Sequence, residues 1–199
     1  MNTLSHRAPA YTASGASVSF RVPFVASAPG DRVSGASILA FVKSFGYFQR
    51  KAVQVLASHG IEEPAADGWY PFQAYLDAQA EVYRTLGPNT LARVGRKLVE
   101  GADLPPTLNS VHDVLAGLDA DYRARHRATD PGGFAYRKLD DGHCTVAVRN
   151  PYPCELDHAV IESLARRVQP EGAVVARVRH LAGQCRKEGA EACLLEVLF

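Results

Sequence analysis

Residues 130–168 read DPGGFAYRKLDDGHCTVAVRNPYPCELDHAVIESLARRV, and their reading decides the fold. Phe134 to Leu139 and His143 to Arg149 are rich in β-branched and aromatic residues. Asp140-Asp141-Gly142 joins them, which is the composition of a hairpin turn. NPYP cannot continue a ladder, because proline lacks the N–H. Glu155 to Val168 then places Leu156, Val160, Ile161, Leu164 and Val168 at helical spacing. Toward the C-terminus, Ala173 to Leu181 and Ala192 to Phe199 form a second strand pair across AGQCRKEGAE. Toward the N-terminus the period is helical. Ile38 to Leu56 predicts one long helix closed by Gly60, Phe72 to Leu86 a second, and Thr90 to Glu100 a third. The fourth starts at Asn109 or Ser110 and carries Val111, Val114, Leu115, Leu118 and Tyr122. Four helices, two strands, a helix and two strands make the fold α+β: a helical N-terminal half packed on an antiparallel sheet of two strand pairs with an intervening helix. Residues 1–16 lack periodicity and read as a flexible arm, and Ser17 to Ala26 as an extended or edge segment interrupted by Pro23.

Composition narrows the function classes. The chain has 199 residues, a formal charge of +1, and 47% hydrophobic against 22% charged residues. That is an ordinary globule, with no global field for nucleic acid. No apolar run approaches the roughly 18 residues of a membrane span, and no secretory signal is visible, so the expected location is the cytoplasm. There is no phosphate-binding loop, no dinucleotide glycine motif, no nucleophile elbow and no HExxH.

The oddity is the cysteine distribution: all four lie in the last third. Cys185 ends one predicted strand and Cys193, eight residues on, begins the next. Cys154 stands where the helix after NPYP starts, and a helix N-terminus favours a thiolate. His180 precedes Cys185 on its strand. Cys154, His180, Cys185 and Cys193 together supply three thiolates and an imidazole, a donor set for a closed tetrahedral zinc site. Buried structural thiols, a disulfide and a hydrogen-bonded core histidine are the competing readings, and the spacing is not the diagnostic CxxC. Cys144 shares its strand face with Val146 and Val148 and reads as core.

This order of elements, with NPYPC before a helix and CRKEGAEAC before the last strand, resembles the 4-vinyl reductase domain family over about residues 90–199. That family is similar in fold to TRAPP-complex subunits. The resemblance implies a ligand-binding domain at 90–199, a helical extension at 17–89, and metal ligands at Cys154, Cys185 and Cys193. Its phenol-sensing members hold zinc beside a buried pocket. The glutamate expected three residues before the C-x₇-C pair is Ala182 here, so His180 would need a bulge through Leu181 to Gln184 to serve as fourth ligand. YRAR at Tyr122–Arg125 is close to the Y-x-S-x-R signature of haem nitric-oxide sensors. Its central serine is Ala124, the C-terminal third does not look like that family, and haem is set aside.

A small aromatic or apolar ligand is expected between helices and sheet. His112 and Tyr122 on the fourth helix, Phe134 and Tyr136 on the first hairpin strand, and Trp69 are the candidate lining, although each alone is more often core. The leading expectation is a non-enzymatic ligand-sensing domain with structural zinc. It is expected to act as a homodimer or through a partner protein, because no output region follows Phe199. The alternatives are a protein-interaction adaptor of TRAPP-like fold, and an enzyme or accessory of tetrapyrrole or small-molecule biosynthesis.

Overall fold

The computed structural model describes residues 23–169, 172 and 175–199. The expected arm at 1–16 and most of the extended segment after it lie outside these residues. The chain is α+β, with six α-helices and two antiparallel sheets among the described residues. β1 (Arg32–Ser34) leads into α1 (Gly35–Ser44), whose N-terminus is capped by the Ser34 side chain accepting from the Ser37 N–H. α2 (Gln49–Ser58) follows, then β2 (Trp69–Pro71), α3 (Phe72–Leu86), α4 (Pro88–Glu100) and α5 (Val111–Ala124). β3 (His126–Arg127), β4 (Gly133–Asp140), β5 (His143–Arg149), α6 (Cys154–Val168), β6 (Arg177–His180) and β7 (Cys193–Leu198) complete the chain.

The single long helix expected over 38–56 is two helices. Gly46 takes φ +56, a left-handed conformation no helix interior accepts, and a 3₁₀ turn at Gly46–Phe48 redirects the chain. The sheet β2-β1-β3 has no counterpart among the expected strands. Its strands are two or three residues long and too short to show a period.

The other sheet has the order β4-β5-β7-β6, the two expected strand pairs joined edge to edge. Register puts Cys144 opposite Val197, Val146 opposite Leu195 and Val148 opposite Cys193. All six are buried, so this face is the floor of the core. The helices cover it. Gly95 of α4 lets α6 approach closely, since a Cβ there would lie 2.7 Å from the Leu156 carbonyl oxygen. One continuous apolar cluster runs from Val33 to Val197. Each fully buried large aliphatic side chain in it contributes about 1.5–3 kcal/mol to folding.

Candidate metal centre

β6 and β7 pair with His180 opposite Leu195 and Val178 opposite Val197. His180 therefore shares a face with Leu195, and Cys193 is its diagonal neighbour two residues along β7. Past His180 the chain turns through Leu181 to Gln184, with Gly183 at φ +69, and returns to the ladder where the Leu194 N–H donates to the Gln184 carbonyl. That turn delivers Cys185 back beside Cys193. Cys154 is the first residue of α6 and comes down on the pair from above.

The sulfurs of Cys154 and Cys193 are 3.1 Å apart, those of Cys154 and Cys185 3.7 Å, and those of Cys185 and Cys193 3.8 Å. All are free thiols, well beyond the roughly 2.05 Å of a disulfide. The ligand atoms of Cys154, His180, Cys185 and Cys193 lie within 4.8 Å of one another, and the three cysteines are buried. Tetrahedral zinc–thiolate bonds of about 2.3 Å set sulfur–sulfur edges of about 3.8 Å, so two of the three edges already match. The third would open by about 0.7 Å. The fourth donor carries its own evidence: His180 Nε2 is buried and has no hydrogen-bond partner. A buried imidazole nitrogen without a partner costs roughly 1–3 kcal/mol unless something satisfies it.

The surroundings suit negative sulfur. The Cys154 thiol donates to Cys193, which holds Cys193 well below the ordinary thiol range and pushes Cys154 well above it. Arg186, 3% exposed, donates to the Cys193 sulfur from both its backbone N–H and its Nε, each at 3.4 Å. Its Nη2 donates to the Tyr152 carbonyl at 3.1 Å and to Asp157 Oδ2 at 2.9 Å. Asn150 donates to Asp157 Oδ1. Burial pushes the Asp157 carboxyl up to about 7 against the pull of Arg186. Arg186, Asp157 and Asn150 form the shell around the thiols, and sequence reasoning did not single them out. Nothing in a turn such as NPYPC or RKEG announces that its polar residues will be buried.

The five predicted pocket residues fall in three places. Tyr122 and Phe134 meet edge to face at 5.4 Å in the core. His112 and Tyr136 form a peripheral pair, with Nδ1 and the hydroxyl 2.5 Å apart, and Phe199 beside them at 5.0 Å. Trp69 lies on the small sheet under the Arg127 guanidinium, 3.9 Å from the ring centroid. What gathers around Tyr122 instead is His126, stacked on it at 4.1 Å, with Phe72 and Tyr152. Tyr122, the first residue of YRAR, is buried and donates to the Pro131 carbonyl.

No family profile matches this sequence, and no curated protein matches it. Solved structures do. A mutant of T. tengcongensis H-NOX superposes with a TM-score of 0.64 at 13% identity, over 83% of this chain and 97% of that one. An H-NOX protein from S. oneidensis in the Fe(II)NO ligation state gives 0.61 at 12%, over 82% and 97%. Another structure, solved in work on modulating haem redox potential through protein-induced porphyrin distortion, gives 0.62 at 14%, over 83% and 94%. These likenesses correct two expectations. The fold is not that of 4-vinyl reductase or TRAPP-like domains. That resemblance rested on the local order of the last 110 residues, whereas the shared architecture takes in the helices before them as well. Setting haem aside because the C-terminal third looked unlike the haem sensors loses its ground too, because that third is part of the likeness. By its architecture, over four-fifths of its length, this chain is similar to H-NOX domains.

Proposed function

We propose that the chain is a small-molecule sensing domain. In it, a metal ion held by Cys154, His180, Cys185 and Cys193 ties the start of α6 to the edge of the C-terminal sheet. The observation that carries the metal is His180, whose buried Nε2 has no hydrogen-bond partner and whose ring offers a nitrogen within 4.8 Å of three thiol sulfurs. Zinc is the ion such a set of donors suits best, and four protein ligands close the site, leaving no position for a reacting water. The ion's role is structural. Arg186 offsets the negative charge of three thiolates on a dication. Metal analysis of the purified chain is expected to find one ion per chain, and Cys185→Ser and Cys193→Ser are expected to lose it. A metal-free parent, or a serine variant that keeps the ion, would overturn this reading.

The sensing part rests on the fold and on the ligation states named for its neighbours. The fold makes haem the first ligand to test. As packed, the core does not fit it. His126 has both ring nitrogens hydrogen-bonded, to the Tyr122 carbonyl and the Tyr152 hydroxyl, and aromatic rings fill the space around it. His112 has both nitrogens engaged as well, and His180 faces the thiols. Use of any of these three as an axial donor would require repacking. Reconstitution with haemin decides the point: a Soret band that shifts on adding nitric oxide supports haem-based sensing, and free haemin spectra throughout exclude it. Output would pass through a second copy of the chain or a partner protein. Sedimentation with and without ligand tests the first route.

A further inference from the structure

From Val33 to Ile61 the sequence contains no aspartate or glutamate, while Lys43, Arg50 and Lys51 fall inside that stretch. These residues form α1, the turn at Gly46 and α2. The turn pushes two aromatic side chains into solvent: Tyr47 is fully exposed and Phe48 is 70% exposed. Leu39 of α1 and Val53 of α2 are exposed as well. Among the described residues, Lys43, Arg50 and Lys51 are in none of the ion pairs, and a shallow groove is lined by Val42, Gln49, Arg50, Val53 and Gln54. Large aromatic rings left in water at a corner are unfavourable for an isolated globule. Three exposed cations on the two flanking helices supply a charge preference.

We propose that this corner docks on an anionic lipid bilayer, with Tyr47 and Phe48 entering the headgroup boundary and Lys43, Arg50 and Lys51 meeting lipid phosphates and carboxylates. Aromatic rings favour the membrane–water interface, and juxtaposed basic residues are drawn to acidic lipid. The combination selects lipid: exposed rings flanked by basic residues, with no carboxylate in the sequence from Val33 to Ile61, match an acidic headgroup surface. Among the described residues no helix is long and apolar enough to cross a membrane, so the attachment is peripheral.

Cosedimentation of the full chain with phosphatidylcholine vesicles, with and without phosphatidylserine, tests this. Binding is expected only with phosphatidylserine and should fall as salt rises. Lys43→Gln, Arg50→Gln and Lys51→Gln should each weaken it by about fivefold. The double variant Tyr47→Ser with Phe48→Ser should abolish it while melting like the parent, because neither ring is buried. Absence of binding to phosphatidylserine vesicles at low salt overturns the proposal. So does a Tyr47/Phe48 variant that binds as the parent does, or capture by poly-glutamate without capture by vesicles.

Discussion

Two histidines stand in the interior of this molecule in opposite conditions. His126 sits in the aromatic cluster with Nδ1 2.6 Å from the Tyr122 carbonyl oxygen and Nε2 2.8 Å from the Tyr152 hydroxyl. The carbonyl can only accept, so Nδ1 carries the proton and Nε2 accepts from Tyr152. Every polar atom of that ring is satisfied. His180 stacks on His158 at 5.8 Å, with Nε2 buried and unpartnered beside three thiols. The same side chain is complete as it stands in one place and incomplete in the other. Burial alone therefore does not mark a functional histidine; the unfilled valence does.

The largest effect expected from that contrast is at the thiols. If a metal completes His180, stripping it with a chelator should remove about 4 kcal/mol of stability, the linkage expected at a thousandfold excess of metal over its Kd. For a chain of this size that is a fall in Tm of roughly 8–16 °C. Chelation should leave Cys193→Ser unmoved, since it has no metal to lose. Thermal melts with and without chelator measure both, and an unchanged parent Tm would put His180 back beside His126 as a structural residue.

Next in size is the guanidinium that supports the cluster. Arg186 and Asp157 are each 2% exposed at the side chain and 2.9 Å apart. Arg186→Met leaves Asp157 buried and uncompensated, and should cost about 3 kcal/mol by denaturant melt at neutral pH. Adding Asp157→Leu should recover much of the loss, because replacing both partners removes the stranded charge. No recovery would show that Arg186 acts chiefly through the Cys193 sulfur.

The satisfied histidine makes the opposite prediction, in pH. Burial lowers His126 from its ordinary value to about 4. Above pH 6.5 the ring is neutral whether folded or not and contributes nothing. As pH falls below 6.5 the unfolded chain takes up a proton that the folded chain refuses until about pH 4, so folding loses stability across that window. The loss should reach about 2 kcal/mol by pH 5. His126→Phe should flatten the dependence between pH 6.5 and 4, at a cost at neutral pH of about 1–2 kcal/mol for the abandoned Tyr152 hydroxyl. Urea melts at stepped pH check both, and an equally steep slope in the variant would assign it to other groups.

How much of this contrast could be read from residues alone differs at its two ends. The thiol cluster was legible because strand ends and a helix start are where sequence signals are strongest. NPYP marks the entry to α6, Gly183 and Gly189 mark the turns between β6 and β7, and the cysteines stand at those marks. The hairpin of β4 and β5 and the helix Phe72–Leu86 were legible for the same reason, since a clear period ends at glycine or proline. The aromatic cluster was not. Helical spacing says that Tyr122 faces inward, but not that His126 will stack on it or that Tyr152 will reach it from a turn 30 residues away. The three-residue strands had no period to show, and the break at Gly46 lay inside a run apolar enough to pass for one helix. The family resemblance failed where it relied on local order, because a strand pair, a helix and a strand pair can be built into more than one α+β architecture.

The smallest effect is the one that separates the two histidines most cleanly. In the metal-stripped protein, His180→Leu removes a buried nitrogen that nothing satisfies, along with the ring's stacking on His158. The two changes oppose each other, and the variant should lie within about 1 kcal/mol of the stripped parent. In the metal-loaded protein the same substitution removes a ligand, and the ion's stabilisation should weaken or vanish. A satisfied residue cannot behave this way: His126→Leu should destabilise the protein by the same amount whether or not metal is present. Melts of both leucine variants, each with and without chelator, give four differences. The expected pattern has chelator dependence in the size of the His180 effect and none in that of His126. Equal His180 effects in the two conditions would mean that the unpartnered nitrogen is a packing defect of the β6 edge and that the thiols hold no ion through it.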